Sequence, residues 1–142
     1  MEFNPVKIAG AESDIMKCWP VFRLLRPHLI ENEFSVRMME MFTEGYKVAY
    51  IEEDNLAVSA IGYRYMQKLH DGKQIYIDDL TTLEEYRGRG YAGKLLEFVF
   101  MEAAAMGYDC VTLDSGPQRH HAHRLYLNKG VIIGSLHFTR TL

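Results

Sequence analysis

The stretch Tyr86-Arg87-Gly88-Arg89-Gly90-Tyr91-Ala92-Gly93-Lys94 sets three glycines directly ahead of the strongest periodic run in the chain. Ala92, Leu95, Leu96, Val99, Phe100 and Ala103 follow i, i+3, i+4, i+7 spacing. That spacing predicts a helix over 91–106 with one buried stripe, stopped by Gly107. Residues without Cβ atoms let backbone N–H groups approach a ligand closely. The helix that follows adds its unpaired first-turn donors and the positive end of its dipole. A junction of this kind predicts a seat for a phosphate or pyrophosphate, with Arg87, Arg89 and Lys94 adding positive charge around it. Glycines also serve as plain turns, but three together at the entry to such a helix favour the anion.

Gly88-x-Gly90-x-x-Gly93 also spells the dinucleotide fingerprint. That fingerprint needs a βαβ unit with the glycines tight against the strand end, and here residues 82–86 intervene. The roughly 50 residues that follow leave little room for a second nucleotide-binding half. A nicotinamide or flavin enzyme is therefore disfavoured. The absence of Gly-Lys-Ser or Gly-Lys-Thr excludes the Walker-type phosphate loop.

Upstream, residues 6–8 read as a first strand. Ser13 or Asp14 can cap a helix carrying Ile15, Cys18, Trp19 and Phe22, bent or broken at Pro20. Ser35 can cap a second helix carrying Met38, Met39 and Phe42, with Gly45 past its end. Residues 46–52, 57–65 and 74–82 are strand-like, joined by Glu53-Asp54-Asn55 and by His70-Asp71-Gly72-Lys73, connections short enough to demand antiparallel neighbours. Beyond the long helix, 110–114 reads as a strand and 120–128 as a short helix ended by Gly130. Residues 131–133 and 136–140 read as a closing hairpin. The fold class is α+β: an antiparallel meander, a helix, one parallel step, a second helix and a final hairpin.

The 142 residues suffice for a single domain, 1–142, and 48% hydrophobic against 25% charged residues gives a chain able to build its own core. No apolar run nears the ~20 residues of a membrane span, and the start, Met-Glu-Phe-Asn-Pro, lacks the pattern of a secretory leader. Cys18 and Cys110 stand far apart without metal-ligand spacing, so the cytoplasm is the expected location. A net charge of -3 argues against a nucleic-acid binder. The charge is uneven: residues 1–86 hold nine basic and fifteen acidic side chains, and 87–142 hold seven basic and four acidic ones. Such a split suits a cationic partner for the first part and an anionic one for the second, although scatter over a small protein gives the same numbers.

Arg87-x-x-Gly90-x-Ala92, set after an Asp-Asp-Leu-Thr-Thr strand and before the Leu95-Leu96 helix, resembles the signature of the GCN5-related N-acetyltransferases. The likeness is strongest over residues 74–138, where a downstream Ala-x-x-Leu-Tyr adds to it. It implies a mostly antiparallel sheet splayed between its fourth and fifth strands, flanked by helices. It also implies acetyl-CoA as cosubstrate and an amine-bearing acceptor. A homodimer is compatible with it, since pairs are frequent in that family. By the same resemblance, backbone N–H groups from Arg89 through Lys94 (Arg89, Gly90, Tyr91, Ala92, Gly93, Lys94), with the loop at Arg87 and Gly88, hold the coenzyme A pyrophosphate. The main chain of Leu80, Thr81 and Thr82 pairs with the pantetheine arm. Thr82 stands where an aliphatic residue is commoner, and Arg119 replaces a commoner Asn that contacts the pantetheine. Gly130-Val131 replaces a usual Gly-Phe.

Tyr126 matches the family's general acid, the donor that protonates the leaving thiolate; a core tyrosine on an amphipathic helix is the plainer alternative. Asp78 matches a carboxylate that accepts the amine's proton in some relatives and only attracts the cation in others. Asp79 can instead pair with an arginine or cap the loop, and strand alternation would send the two acids to opposite faces. The histidines of Arg119-His120-His121-Ala122-His123-Arg124 lack Cys or acidic partners at ligand spacing, so no metal site is expected there. Arg119 and His120 are instead expected to line the cofactor groove, and His123 to pack or hydrogen-bond locally. Glu31, Glu33, Glu40 and Glu44, with Tyr63, Tyr65, Met66 and Tyr76, are candidates for the acceptor pocket, or for a solvated helix face and ordinary core. The expected activity is direct acetyl transfer from acetyl-CoA to a primary amine of a small molecule or peptide. The alternative is a non-catalytic acyl-CoA-binding module.

Overall fold

A computed structural model describes residues 4–142; Met1 to Phe3, part of the segment in which no leader is expected, lie outside the described residues. The described residues fall into two compact units, one running to Thr112 and one from Leu113 to Leu142. The sheet has the order β1 (Val6–Ile8), β2 (Tyr46–Glu53), β3 (Leu56–Lys68), β4 (Gly72–Thr82), β5 (Cys110–Leu113). Pairs β1–β2, β2–β3 and β3–β4 are antiparallel. Asp54 and Asn55, with φ of 51° and 62°, form the two-residue turn between β2 and β3. Neighbouring β5 runs parallel to β4: the Asp109 amide donates to the Lys73 carbonyl at 2.8 Å and the Lys73 amide to Asp109 Oδ2 at 3.0 Å, so the two strands begin together.

One face of the sheet is covered by α1 (Glu12–Lys17), α2 (Trp19–Leu25) and α3 (Glu31–Thr43). Ile15, Cys18, Trp19, Val21, Phe22, Phe34 and Met38 pack there against Tyr46, Val48, Tyr50, Ala57 and Ala60. The expected first helix is two, broken at Cys18, with Pro20 in the opening turn of α2 where its missing N–H costs nothing. Neither expected cap stands. Ala11 precedes α1, whose Asp14 instead reaches back to the Gly10 and Ala11 amides (3.0 and 3.1 Å), and α3 begins at Glu31, leaving Ser35 inside it.

The other face carries α4 (Tyr91–Ala105), whose Leu95, Leu96, Val99 and Ala103 are buried as the stripe predicts. Tyr65 donates to Glu102 of this helix at 2.7 Å and meets Tyr108 edge-on at 5.9 Å. Tyr63 is buried, and Tyr65 stands half-buried on the α4 side. The four α3-region glutamates named above are all exposed.

The second unit holds α5 (His120–Asn128), with the bounds its sequence predicts. The closing hairpin does not form: 131–142 contains neither strand nor helix, and Ile132, Ile133, Leu136 and Phe138 are exposed. Alternation supplies only a propensity, and an isolated two-stranded hairpin is marginal in water. No helix among the described residues is long and apolar enough to cross a membrane.

Candidate active site

After β4 the chain makes a short 3-10 turn, Glu84–Tyr86, and crosses Arg87 to Gly90 into α4. Gly88 and Gly90 have φ of 78° and 82°, values that cost an L side chain roughly 1–2 kcal/mol, and no atom lies within 4 Å of where a Cβ would stand on either. No side chain caps the helix, and no acid occupies its first turn. The amides of Tyr91, Ala92 and Gly93 have no helical carbonyl to bond. Lys94 differs: its amide donates to the Gly90 carbonyl at 3.0 Å, the first rung of the helix, so the donor set expected from Arg89 through Lys94 ends at Gly93.

The expected cations are each tethered. Arg87 Nε donates to the Thr82 carbonyl at 3.2 Å. Arg89 lies 4.8 Å over the Tyr86 ring and 3.4 Å from Glu53, and Lys94 Nζ donates to the Asn4 carbonyl. The Tyr91 hydroxyl donates to Glu53 at 2.5 Å, which pushes its pKa up. The junction presents main-chain donors at the helix entry, with guanidinium groups alongside.

Leu80, Thr81 and Thr82 lead into this loop. The Leu83 amide donates to the Val58 carbonyl at 2.9 Å, and the register pairs Ala60 with Thr81 and Gly62 with Asp79. That phase turns the main-chain groups of Asp79 and Thr81 toward β3 and those of Leu80 and Thr82 away from it. Counted from the Lys73–Asp109 contact at equal rise, β5 ends short of Leu80. The outward amides of Leu80 and Thr82 thus lie past the last residue of β5, in the place an extended ligand can pair with. The side chains are engaged elsewhere: Thr81 Oγ1 donates to the Val21 carbonyl at 3.1 Å and Thr82 Oγ1 lies 2.8 Å from Ser59 Oγ.

Asp78 and Asp79 precede this segment, and strand alternation does not hold for them. The β3–β4 register runs Gly62 to Asp79 and then Tyr63 to Ile77, so Asp78 is the extra residue of a β-bulge. Both acids consequently reach groups on the α1–α3 face. Arg64 forks onto Asp78, with Nε 3.0 Å from Oδ1 and Nη2 2.7 Å from Oδ2. Tyr46 donates to Asp79 Oδ2 at 2.6 Å, and Arg26, at the end of α2, gives Nε and Nη2 to Oδ1 at 3.1 and 2.9 Å. Burial pushes the Asp78 carboxyl up, opposed by the Arg64 hydrogen bonds. Burial, then the Asp79 charge, pushes the Tyr46 hydroxyl up. The sequence singled out Asp78 as a candidate but gave no sign of Arg64, Arg26 or Tyr46 beside the two acids. An Arg or Tyr many positions away carries no sign of its partner.

In the second unit, Tyr126 is buried, which raises its pKa, while Arg119 opposes the shift by charge and hydrogen bond. The pair stands two turns apart along one side of α5, with Arg119 at its N-cap. His123 Nε2 lies 3.1 Å from Ser115 Oγ, and its ring meets that of His120 edge-on at 6.4 Å.

Among known proteins, the sequence matches the acetyltransferase (GNAT) family over residues 11–131. It is 30% identical over 125 residues to an uncharacterized N-acetyltransferase, YhdJ, of Bacillus subtilis (strain 168), covering 87% of this chain and 88% of that protein. The fold is similar to that of a putative acetyltransferase from Agrobacterium tumefaciens str. C58, with a TM-score of 0.83 at 20% identity over 97% of this chain and 99% of the other. It is also similar to the aminoglycoside N-acetyltransferase AAC(6')-Iy solved in complex with CoA, with a TM-score of 0.80 at 14% identity over 99% and 97% of the two chains.

Proposed function

Because the chain belongs to the acetyltransferase (GNAT) family, we propose that it moves an acetyl group from acetyl-CoA directly to the primary amine of a small molecule or peptide. The observation that carries this reading is the junction of the uncapped first turn of α4 with the outward-facing amides of Leu80 and Thr82. The AAC(6')-Iy fold has been solved with CoA and with a CoA bisubstrate analog, which supports a CoA seat in the same architecture.

In this mechanism Tyr91, Ala92 and Gly93 donate their amides to the pyrophosphate, and Gly88 and Gly90 shape the loop so that it can come close. Arg87, Arg89 and Lys94 add positive charge nearby, and the outward main-chain groups of Leu80 and Thr82 pair with the pantetheine arm, those of Thr81 being turned to β3. Arg119 is a further candidate for the cofactor groove. Acetyl-CoA supplies the thioester carbonyl. The amine nitrogen forms a bond to that carbon as the carbon–sulfur bond breaks. Asp78 takes the proton from the amine, directly or through water, and Tyr126 gives one to the thiolate. Burial favours the protonated hydroxyl of Tyr126 until the thiolate appears.

The test is acetyl-CoA turnover, followed by free-thiol release, over a panel of amines and peptides. Thiol release that depends on the added amine is the expected result. CoA binding without thiol release for any acceptor would favour the non-catalytic acyl-CoA-binding module.

A further inference from the structure

We propose that Arg64 is a positioning residue for the acceptor side of this site: its guanidinium, forked across Asp78 at the β4 bulge, holds that carboxylate in one orientation and leaves Oδ1 able to accept one more hydrogen bond. The inference rests on the reading of Asp78 as the amine's proton acceptor.

Nε and Nη2 together place three contacts on the carboxylate, two of them on Oδ2 (3.2 and 2.7 Å) and one on Oδ1 (3.0 Å). Nε carries one hydrogen, shared between the two oxygens, while Nη2 bonds Oδ2 alone; Oδ1 therefore receives only the shared bond and keeps an acceptor position. Arg64 is itself fixed. Its guanidinium carbon lies 5.3 Å from the centroid of the Tyr46 ring, which stacks on Phe42 at 6.2 Å and is tied by its hydroxyl to Asp79. Arg26 closes the ring of contacts, binding the Asp79 carboxylate and giving Nη2 to the Asp78 carbonyl at 3.1 Å.

The bulge explains why such a clamp is needed. The extra residue leaves Asp78 outside the regular ladder, so neither strand register nor a direct cross-strand neighbour aims its side chain. The charged and titratable groups facing it are Arg64 from β3, Tyr46 from β2, Asp79 from β4 and Arg26 from the end of α2, with Glu44 acting on Arg64 from the turn before β2. Without Arg64, burial and the neighbouring Asp79 both favour a protonated Asp78, and only Arg26 opposes them.

The experiment compares the unmodified protein with Arg64→Gln, Arg64→Lys, Asp78→Asn and the Arg64→Gln/Asp78→Asn double variant. It measures the carbon-detected NMR titration of the Asp78 carboxyl together with kcat and KM for acetyl transfer against pH; melting temperature and CoA affinity check the fold. In Arg64→Gln the carboxyl titration and the acidic limb of kcat/KM should move upward together by roughly one pH unit. There kcat should fall about 10-fold with the acetyl-CoA KM unchanged, and Arg64→Lys should recover part of the rate. The double variant should be no slower than Asp78→Asn. An unmoved carboxyl titration in Arg64→Gln overturns the proposal, as does an equal slowing by Arg64→Gln with and without Asp78. Full activity in Asp78→Asn removes the proton-acceptor reading and the proposal with it. Loss in Asp78→Asn with an unchanged Arg64→Gln removes the proposal alone.

Discussion

Tyr46 lays its ring across Gly62: a Cβ built on that glycine would stand 1.8 Å from the Tyr46 hydroxyl oxygen. The same oxygen donates to Asp79 at 2.6 Å, and Gly62 is the β3 residue paired with Asp79. The missing side chain on β3 is thus the passage through which β2 reaches an acid on β4, across a strand that lies between them.

Gly62→Ala should close that passage. The backbone of β3 cannot retreat from inside the sheet, so Tyr46 must swing away and leave Asp79 with Arg26 alone. Overpacking of this kind costs about 1–3 kcal/mol. Urea denaturation should show the midpoint falling by that amount, and a Gly62→Ala/Tyr46→Phe protein should recover little, because the ring still clashes. An unchanged midpoint would mean that Tyr46 has another place to go.

Gly90→Ala tests the loop. A left-handed φ of 82° is costly for alanine, by roughly 1–2 kcal/mol, and relief of that strain would rotate the first-turn amides. CoA affinity measured by calorimetry should weaken about 10-fold, and the melting temperature should fall by several degrees as the strain predicts. An unaltered affinity would place the pyrophosphate elsewhere.

Tyr126→Phe separates the enzyme from the binding module. Loss of a proton donor to the leaving thiolate should lower kcat by about 10²-fold or more and leave CoA affinity unchanged. A binding module has no such donor to lose. Steady-state thiol release set beside CoA calorimetry reads both quantities on one preparation.

Acid should destabilise the fold. Glu52 is held below the ordinary carboxylate range chiefly by the hydrogen bond from Lys17 Nζ at 2.9 Å, and Asp14 is held low chiefly by the Gly10 amide. A carboxylate whose folded value is lowered contributes stability above its unfolded value, near ~4, and loses it as pH falls through the folded one. Asp78, shifted upward, acts with the opposite sign. Urea midpoints should drop on acidification below about pH 4, and Glu52→Gln should make that drop shallower. An equally steep curve in the variant would deny Glu52 its share.

Cys18 should be unreactive in the folded protein. It is fully buried, and burial pushes its thiol up to about 12, whereas Cys110 is partly exposed. Alkylation at neutral pH should label Cys18 only after unfolding in guanidinium, as mass spectrometry of the peptides would reveal. Rapid native labelling of Cys18 would mean that the α1–α2 junction opens readily.

The parts of the site written in local backbone terms were legible in the chain. Glycine at 88 and 90 signals a left-handed backbone, and the apolar stripe from Ala92 to Ala103 signals a helix; both depend on residues close together in sequence. The acids were found as residues but not as a constellation. Two adjacent aspartates read as opposite-facing, and one extra residue in β4 turned them to the same side. The final segment shows the reverse failure, since 131–142 has a strand pattern without the neighbour that would make it a strand.

By itself, the order of residues determined where the chain bends and which faces of its helices avoid water, because φ preferences and apolar periodicity act within a few residues. It also determined the donor-rich entry to α4. Only the tertiary structure decided that Arg64 answers Asp78 and that Arg26 and Tyr46 answer Asp79. Those outcomes depend on strand register and on which polar groups share a buried corner, and a charge carries no address for its partner until packing brings the two within hydrogen-bond reach.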